Sequence, residues 1–145
     1  MIYTSKQDVY MLAIHEIRKL FNQLSMNFHA QVTVDNQLIK VNIVDNSSKI
    51  YLSTDVYQDH DYIPPSVRLC TKASPVFIHQ SPLHNCYLSL DEKNYSITLN
   101  YIGILEHLDN EAFRSLLEEF AWLGNQWERY LDDNDKKDLL HVRVK

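Results

Sequence analysis

The chain has 145 residues, a hydrophobic share of 45% and a formal net charge of -5. This length is typical of one domain, and this hydrophobic share is enough for a core, so the composition argues against a disordered chain. Lys and Arg are scattered without a basic stripe, which argues against binding to the phosphate backbone of a nucleic acid.

The first segment predicts an amphipathic helix over residues 5–24. Thr4 and Ser5 provide the capping signal at its start. Apolar side chains then recur at helical spacing, at Tyr10, Ala13, Ile17, Leu20, Phe21 and Leu24. Charged residues interrupt this segment, so it matches neither a signal peptide nor a membrane span, and we expect a cytoplasmic protein without membrane insertion.

An antiparallel meander of three strands is predicted next. Apolar and polar residues alternate over residues 28–34, 39–43 and 50–53, which is the pattern of half-buried strands. Asp35-Asn36 and residues 45–48 are typical turn sequences. Because the connections are this short, neighbouring strands must run antiparallel.

The segment from residue 56 to 82 contains all four prolines and breaks this regularity. Pro65 predicts the start of a two-turn helix over residues 66–74. Residues 76–78 form an apolar run that is too short to classify. Residues 86–90 and 95–101 alternate again around a turn at 91–94, which predicts a hairpin.

A long closing helix is predicted over residues 109–131, with Asp109 as its cap. Gly124 lies on its apolar face, and we expect it to let another element approach closely. Residues 132–145 are expected to form a flexible tail, in which residues 139–144 have two interpretations, a further strand or a frayed end. The sequence therefore predicts one α+β domain over residues 1–145, an antiparallel twisted sheet flanked by N-terminal and C-terminal helices in the order α-β-β-β-(α)-β-β-α.

The residues that carry chemistry form no recognisable catalytic or metal site. Two glycines in the whole chain are too few for a P-loop or a dinucleotide fingerprint. His15-Glu16 begins a zinc-protease pattern, but Lys19 stands where the second histidine is needed. The remaining candidates for chemistry are His60, His79, His84, Cys70 and Cys86. Their spacing in the sequence predicts no nucleophile pair. We expect no catalytic residue, no metal site and no cofactor.

The order of elements and the closing helix carry a family resemblance. The first helix has Leu20-Phe21 and Gln23-Leu24 near its end. The closing segment has an acidic start, apolar residues at helical spacing and a tryptophan, at Asp109-Asn110-Glu111, Phe113, Leu116-Leu117, Phe120-Ala121 and Trp127. In these features the chain resembles the class I type III secretion chaperones, the Tir chaperone-like family, over residues 9–131.

This resemblance implies a homodimer in the bacterial cytoplasm that binds secreted effector proteins. The dimer would hold the N-terminal segment of an effector in an extended form over apolar patches, with part of it added to a sheet edge, and keep it competent for secretion. The middle helix of the family must fit between Pro65 and Pro75, which is short, so the dimer geometry is left open.

The resemblance also implies two sets of contact residues. The expected partner-binding residues are Tyr10, Ile14, Phe28, Ile39, Val41 and Tyr51. The expected dimer-interface residues are Val67, Leu69, Val76, Phe77 and Ile78. Ordinary core positions are the alternative for each residue. The alternative function is a small-ligand carrier with a cavity under the C-terminal helix.

Overall fold

The computed structural model describes the backbone of residues 2–106 and 108–144 and the side chains of residues 15–106 and 108–136. The helices in these ranges are α1 Ile2–Asn27, α2 Pro65–Cys70, α3 Val76–Gln80 and α4 Asn110–Val144. The strands are β1 His29–Val34, β2 Gln37–Val44, β3 Lys49–Gln58, β4 Cys86–Asp91 and β5 Ser96–Ile104.

The strands form an antiparallel sheet in the order β1-β2-β3-β5-β4. The first hairpin turns at Asp35 and Asn36, whose φ angles of 48° and 68° are both positive. Two central residues with positive φ match the right-handed twist of the flanking strands, and Asp and Asn tolerate this geometry. The predicted α+β class, the meander and this turn are confirmed.

One face of the sheet is covered by α1 and α4. Helix α1 packs on β1 and β2, and α4 packs on β1, β2 and β3. The side chains on this face that are fully buried include Ile39, Leu52 and Leu99, together with Phe113 and Phe120 of α4. The apolar residues that alternate along the strands and those at helical spacing in α4 thus pack together in one core.

Helix α4 begins as predicted at an Asp109 cap, where Ala112 N donates to Asp109 Oδ1 over 2.8 Å. Further along, α4 is held to the sheet by polar contacts of Gln37, which is only 2% exposed. The Nε2 atom of Gln37 donates to Asn125 Oδ1 and Glu128 Oε2 over 2.7 and 2.6 Å. Its Oε1 atom accepts from Thr54 Oγ1 over 2.9 Å.

Several element boundaries differ from the sequence prediction. Helix α1 extends through Asn27, and Phe28 is a bend with a φ of 63° instead of the first residue of a strand. Residues 76–78 lie in the short helix α3. Helix α4 continues to Val144, so a strand over residues 139–144 is wrong, because the polar residues after Leu131 extend a helix that core packing has already started.

Candidate partner-binding surfaces

An apolar pocket of about 280 Å3 opens where the end of α1 meets the β2–β3 hairpin and the start of α4. The rings of Phe21 and Phe113 form part of its lining, with centroids 4.9 Å apart and planes tilted by 57°. The remaining lining residues are Leu24, Ser25, Phe28, Ile43, Ser47, Ile50, Leu105 and Leu108. An open pocket of this composition suits an apolar side chain supplied by another molecule.

Phe28 forms the exposed rim of this pocket. Its N–H donates to Leu24 O over 3.0 Å, and its carbonyl accepts from Ile43 N over 2.8 Å. The backbone is thereby held at a φ of 63°, while the side chain is 55% exposed. A bulky residue in the left-handed region costs about 1–2 kcal/mol relative to ordinary backbone geometry. An exposed aromatic ring at a strained position is typical of a contact residue.

The other residues expected to bind a partner are not brought to this pocket. Ile39 and Val41 are 0% exposed in the core, so their burial removes them from the partner surface. Sequence alternation shows that two residues share a face of the sheet, but not that helices cover this face. Tyr10 and Ile14 lie in α1, and their side chains are outside the described residues.

Tyr51 lies on the opposite, polar face of the sheet. Its hydroxyl donates to Oδ1 of the buried Asn100, whose Nδ2 atom donates to Ser89 Oγ over 2.9 Å. Burial and, secondarily, the neighbouring Tyr87 raise the pKa of Tyr51. This tyrosine lines a polar groove of about 640 Å3 that runs across β2, β3, β4 and β5. It is therefore separated from Phe28 by the thickness of the sheet.

The residues expected at a dimer interface divide into three groups. Leu69 and Val76 are 70% and 72% exposed on α2 and α3. Phe77 and Ile78 are half-buried, and the ring of Phe77 packs edge-on against Trp127 with centroids 5.1 Å apart. Val67 is 0% exposed, so it belongs to the core of its own chain and is removed from the interface.

The strand β4 forms one edge of the sheet and was not predicted as a contact surface. Tyr87 and Leu90 on this strand are 48% and 40% exposed. Its position at the edge depends on the strand order, which periodicity does not encode. The only sequence signal was the lack of charge in residues 86–90.

Comparison with known proteins gives matches in structure and none in sequence. Neither the family models nor the curated proteins contain a match. A chain of the ExsC-ExsE complex is similar at a TM-score of 0.56 and 16% identity, covering 71% of this chain and 75% of that one. A chain of the HopA1-SchA chaperone-effector complex is similar at a TM-score of 0.54 and 15% identity, covering 83% and 94%.

A third match is the complex of the Yersinia pestis type III secretion chaperone SycH with a stable fragment of YscM2. Its TM-score is 0.50 at 10% identity, and the match covers 79% of this chain and 98% of that one. The chain has the fold of the class I type III secretion chaperones.

Cys86, one of the two cysteines among the candidate residues, is half-buried. Burial raises the pKa of the Cys86 thiol to about 12, which disfavours the nucleophilic thiolate. Within the described residues, no group of three or more His, Cys, Asp or Glu side chains is placed to hold a metal ion. In that same part of the chain, no helix is long and apolar enough to cross a membrane.

Proposed function

We propose that this protein is a type III secretion chaperone that binds the N-terminal segment of a secreted effector in an extended form and keeps it competent for secretion. The observation that carries this proposal is the fold shared with a chaperone-effector complex over 83% of the chain, together with the open apolar pocket beside Phe28. A chaperone of this kind acts in the bacterial cytoplasm, before its effector is exported.

The pocket lies beside the free edge of the sheet formed by β1, and this combination of a pocket and an edge suits an extended peptide. Ile43 N donates to Phe28 O. In an antiparallel pair every second residue forms hydrogen bonds with the neighbouring strand, so the main-chain groups of Ala30 and Val32 also point toward β2. The main-chain groups of His29, Gln31 and Thr33 therefore point away from the sheet. An effector segment would add a strand here and place an apolar side chain in the pocket, so that main-chain bonds give affinity and the pocket gives selectivity.

The alternative function of a small-ligand carrier has less support. Three core side chains of α4, those of Phe113, Phe120 and Leu131, are at most 1% exposed. They fill the space between helix and sheet where such a carrier would need a cavity. The Phe28 pocket, in contrast, opens to the surface at the end of α1, as a peptide-binding site does.

We also propose that the protein acts as a homodimer. Leu69 and Val76 are apolar and largely exposed on neighbouring short helices, which is unfavourable unless another surface covers them. Phe77 and Ile78 would contribute their exposed parts. Val67, which was also expected at the interface, is not part of this proposal because it lies in the core.

The test measures the affinity for N-terminal segments of type III effectors encoded in the same genome, by calorimetry with purified peptides. Phe28→Asp should abolish binding, because a carboxylate at the rim cannot be desolvated against the apolar pocket. Tyr62→Asp is the matched control, since Tyr62 is also aromatic and 55% exposed but lies outside the pocket. Binding that both variants retain, or both lose while folded, would contradict the proposed site.

A further inference from the structure

The pocket beside Phe28 is built largely from aromatic rings. Three of the five phenylalanines of the chain line it: Phe21 from α1, Phe28 from the bend and Phe113 from the start of α4. The other lining side chains are aliphatic, apart from those of Ser25 and Ser47. Aromatic rings attract one another through their quadrupoles in addition to the area that they bury. An aromatic occupant would therefore gain a contact here that an aliphatic occupant lacks.

The rings of Phe21 and Phe113 already have the relative geometry that aromatic pairs prefer. Their centroids are 4.9 Å apart, and their planes are tilted by 57°. A tilted pair presents a ring face and a ring edge in different directions, so a third ring can continue the same edge-to-face arrangement. An aliphatic side chain has no quadrupole and would gain only the burial of its apolar area.

Both rings are held in place by the fold itself. Phe113 is 1% exposed, and its N–H donates to Asp109 O over 2.9 Å in the first turn of α4. Phe21 packs half-buried against the core, and its carbonyl accepts from Ser25 Oγ over 2.9 Å. Preorganised side chains lose little conformational entropy on binding, so the ring contacts are not offset by a cost of ordering the pocket.

The pocket has the size and polarity for one aromatic ring. Its volume is about 280 Å3, whereas an enclosed apolar cavity of about 150 Å3 is enough to bind benzene. None of the described residues that line it carries a charge, so no ion is desolvated when a ring enters. The hydroxyl of Ser25 already donates within α1, so the ring would leave no donor of this residue unpaired.

We propose that this pocket selects an aromatic side chain of the effector segment, and that Phe21 and Phe113 determine this specificity. This inference rests on the proposed function and names the class of segment that the site takes. It is an extended segment in which a phenylalanine or another aromatic residue lies beside the start of β1. Phe28 forms the rim of the pocket, and the pair of rings behind it contacts the occupant.

The experiment uses a short blocked peptide, Thr-Lys-Thr-X-Thr-Lys-Thr, in which X is the one apolar residue. Threonine favours an extended strand, and lysine keeps the peptide soluble. X is phenylalanine, cyclohexylalanine or leucine. Cyclohexylalanine is the matched probe, because its saturated ring has nearly the same shape but no aromatic quadrupole. Binding is followed by NMR of the methyl groups of Ile43 and Ile50, which line the pocket and thus report where the peptide binds.

Two variants of the chain test whether the ring pair causes the preference. Phe21→Leu removes one ring and keeps an apolar side chain in the pocket. Tyr130→Leu is the control, since Tyr130 is also half-buried and contacts other rings edge-on but lies outside the pocket. Circular dichroism confirms that both variants are folded, and the peptide comparison with the unchanged chain does not depend on any substitution.

The phenylalanine peptide should bind about three- to tenfold more tightly than the cyclohexylalanine peptide, which is the range that an aromatic pair contributes beyond buried area. This ratio should fall toward one in Phe21→Leu and stay unchanged in Tyr130→Leu. Cyclohexylalanine binding as tightly as phenylalanine, or no shift of Ile43 and Ile50 with the phenylalanine peptide, would overturn the inference. In either case, effector binding that Phe28→Asp abolishes would still support the proposed function.

Discussion

A Cβ atom on Gly124 of α4 would lie only 3.3 Å from Cδ of Gln37 on β2. It would also lie 3.2 Å from Cγ2 of Thr54. Gln37 cannot move aside easily, because its amide is bound to Thr54, Asn125 and Glu128. The glycine therefore marks a close approach of α4 to the sheet. The prediction that Gly124 admits another element is confirmed, and that element is the pair of strands β2 and β3.

Gly124→Val should lower the free energy of unfolding by about 1–3 kcal/mol, because the added methyl groups overpack the contact with Gln37 and Thr54. Urea denaturation followed by circular dichroism measures this change. Arg129→Val is the control, since it puts the same residue on an exposed face of α4 and should cost about 0.5 kcal/mol or less. A gain in stability for Gly124→Val, which the higher helix propensity of valine alone would give, would show that the contact does not decide the effect.

Much of this fold could be predicted from local chemistry. The Asp35-Asn36 turn and the Asp109 cap each depend on a few neighbouring residues, so the sequence carries their full signal. The close contact at Gly124 was predicted from one glycine on an apolar helical face. Its partner Gln37 was not, because a polar residue at a strand position gives no sign that a helix residue will satisfy its amide.

The contact surfaces were harder to predict, because they depend on long-range packing. Ile39 and Val41 alternate in the same way as half-exposed strand residues, and only the helices above them make them core. Val67 was assigned to an interface although its side chain points inward from α2. The exposure of Phe28 arises from its φ angle at the end of α1, and the free edge of β4 arises from the strand order.

Glu118 should make stability depend on pH. Burial is the largest cause that raises the pKa of this carboxyl in the folded state, and Asp35 and Glu111 raise it further. The folded state therefore binds the proton more tightly than the unfolded state, so stability falls as pH rises through and above the ordinary Glu value of about 4.3. Glu118→Gln should stabilise the protein at pH 7, and this gain should disappear below about pH 4.

The denaturant midpoints of wild type and Glu118→Gln are compared from about pH 3.5 to about pH 7.5, a range that includes the ordinary Glu pKa of about 4.3. Glu16→Gln removes one negative charge from an exposed position that is not among the causes of this pKa shift, and it is the control for the change in net charge. A stability difference between wild type and Glu118→Gln that does not change with pH would contradict the role of the carboxyl pKa.

Phe77 should hold α3 against α4. Its ring contacts Trp127 and Tyr130 edge-on, with centroid distances of 5.1 and 5.9 Å. Phe77→Ala should cost about 1–3 kcal/mol, less than the roughly 3–5 kcal/mol of a fully buried phenylalanine, because this ring is half-buried. Gln80→Ala, at an exposed position of the same helix, should stay within about 0.5 kcal/mol of wild type.

Tryptophan fluorescence during urea unfolding reports this contact directly, because Trp127 lies beside the ring. In native buffer, Phe77→Ala should shift the emission toward that of a more solvated indole, while Gln80→Ala should not. If the two variants have the same emission and the same midpoint, α3 is held by other contacts.

The side chain of Phe28 should strengthen effector binding and lower the stability of the fold. At a φ of 63°, glycine has no Cβ penalty, so Phe28→Gly should be about 1 kcal/mol more stable than Phe28→Ala. Both variants should lose effector affinity in calorimetry, because the aromatic rim of the pocket is gone. The same pair of substitutions at Thr33, in the regular part of β1, should show the opposite order, since glycine weakens a strand. A glycine variant at position 28 that is less stable than the alanine variant would contradict the strained geometry, and full affinity in either one would remove Phe28 from the effector site.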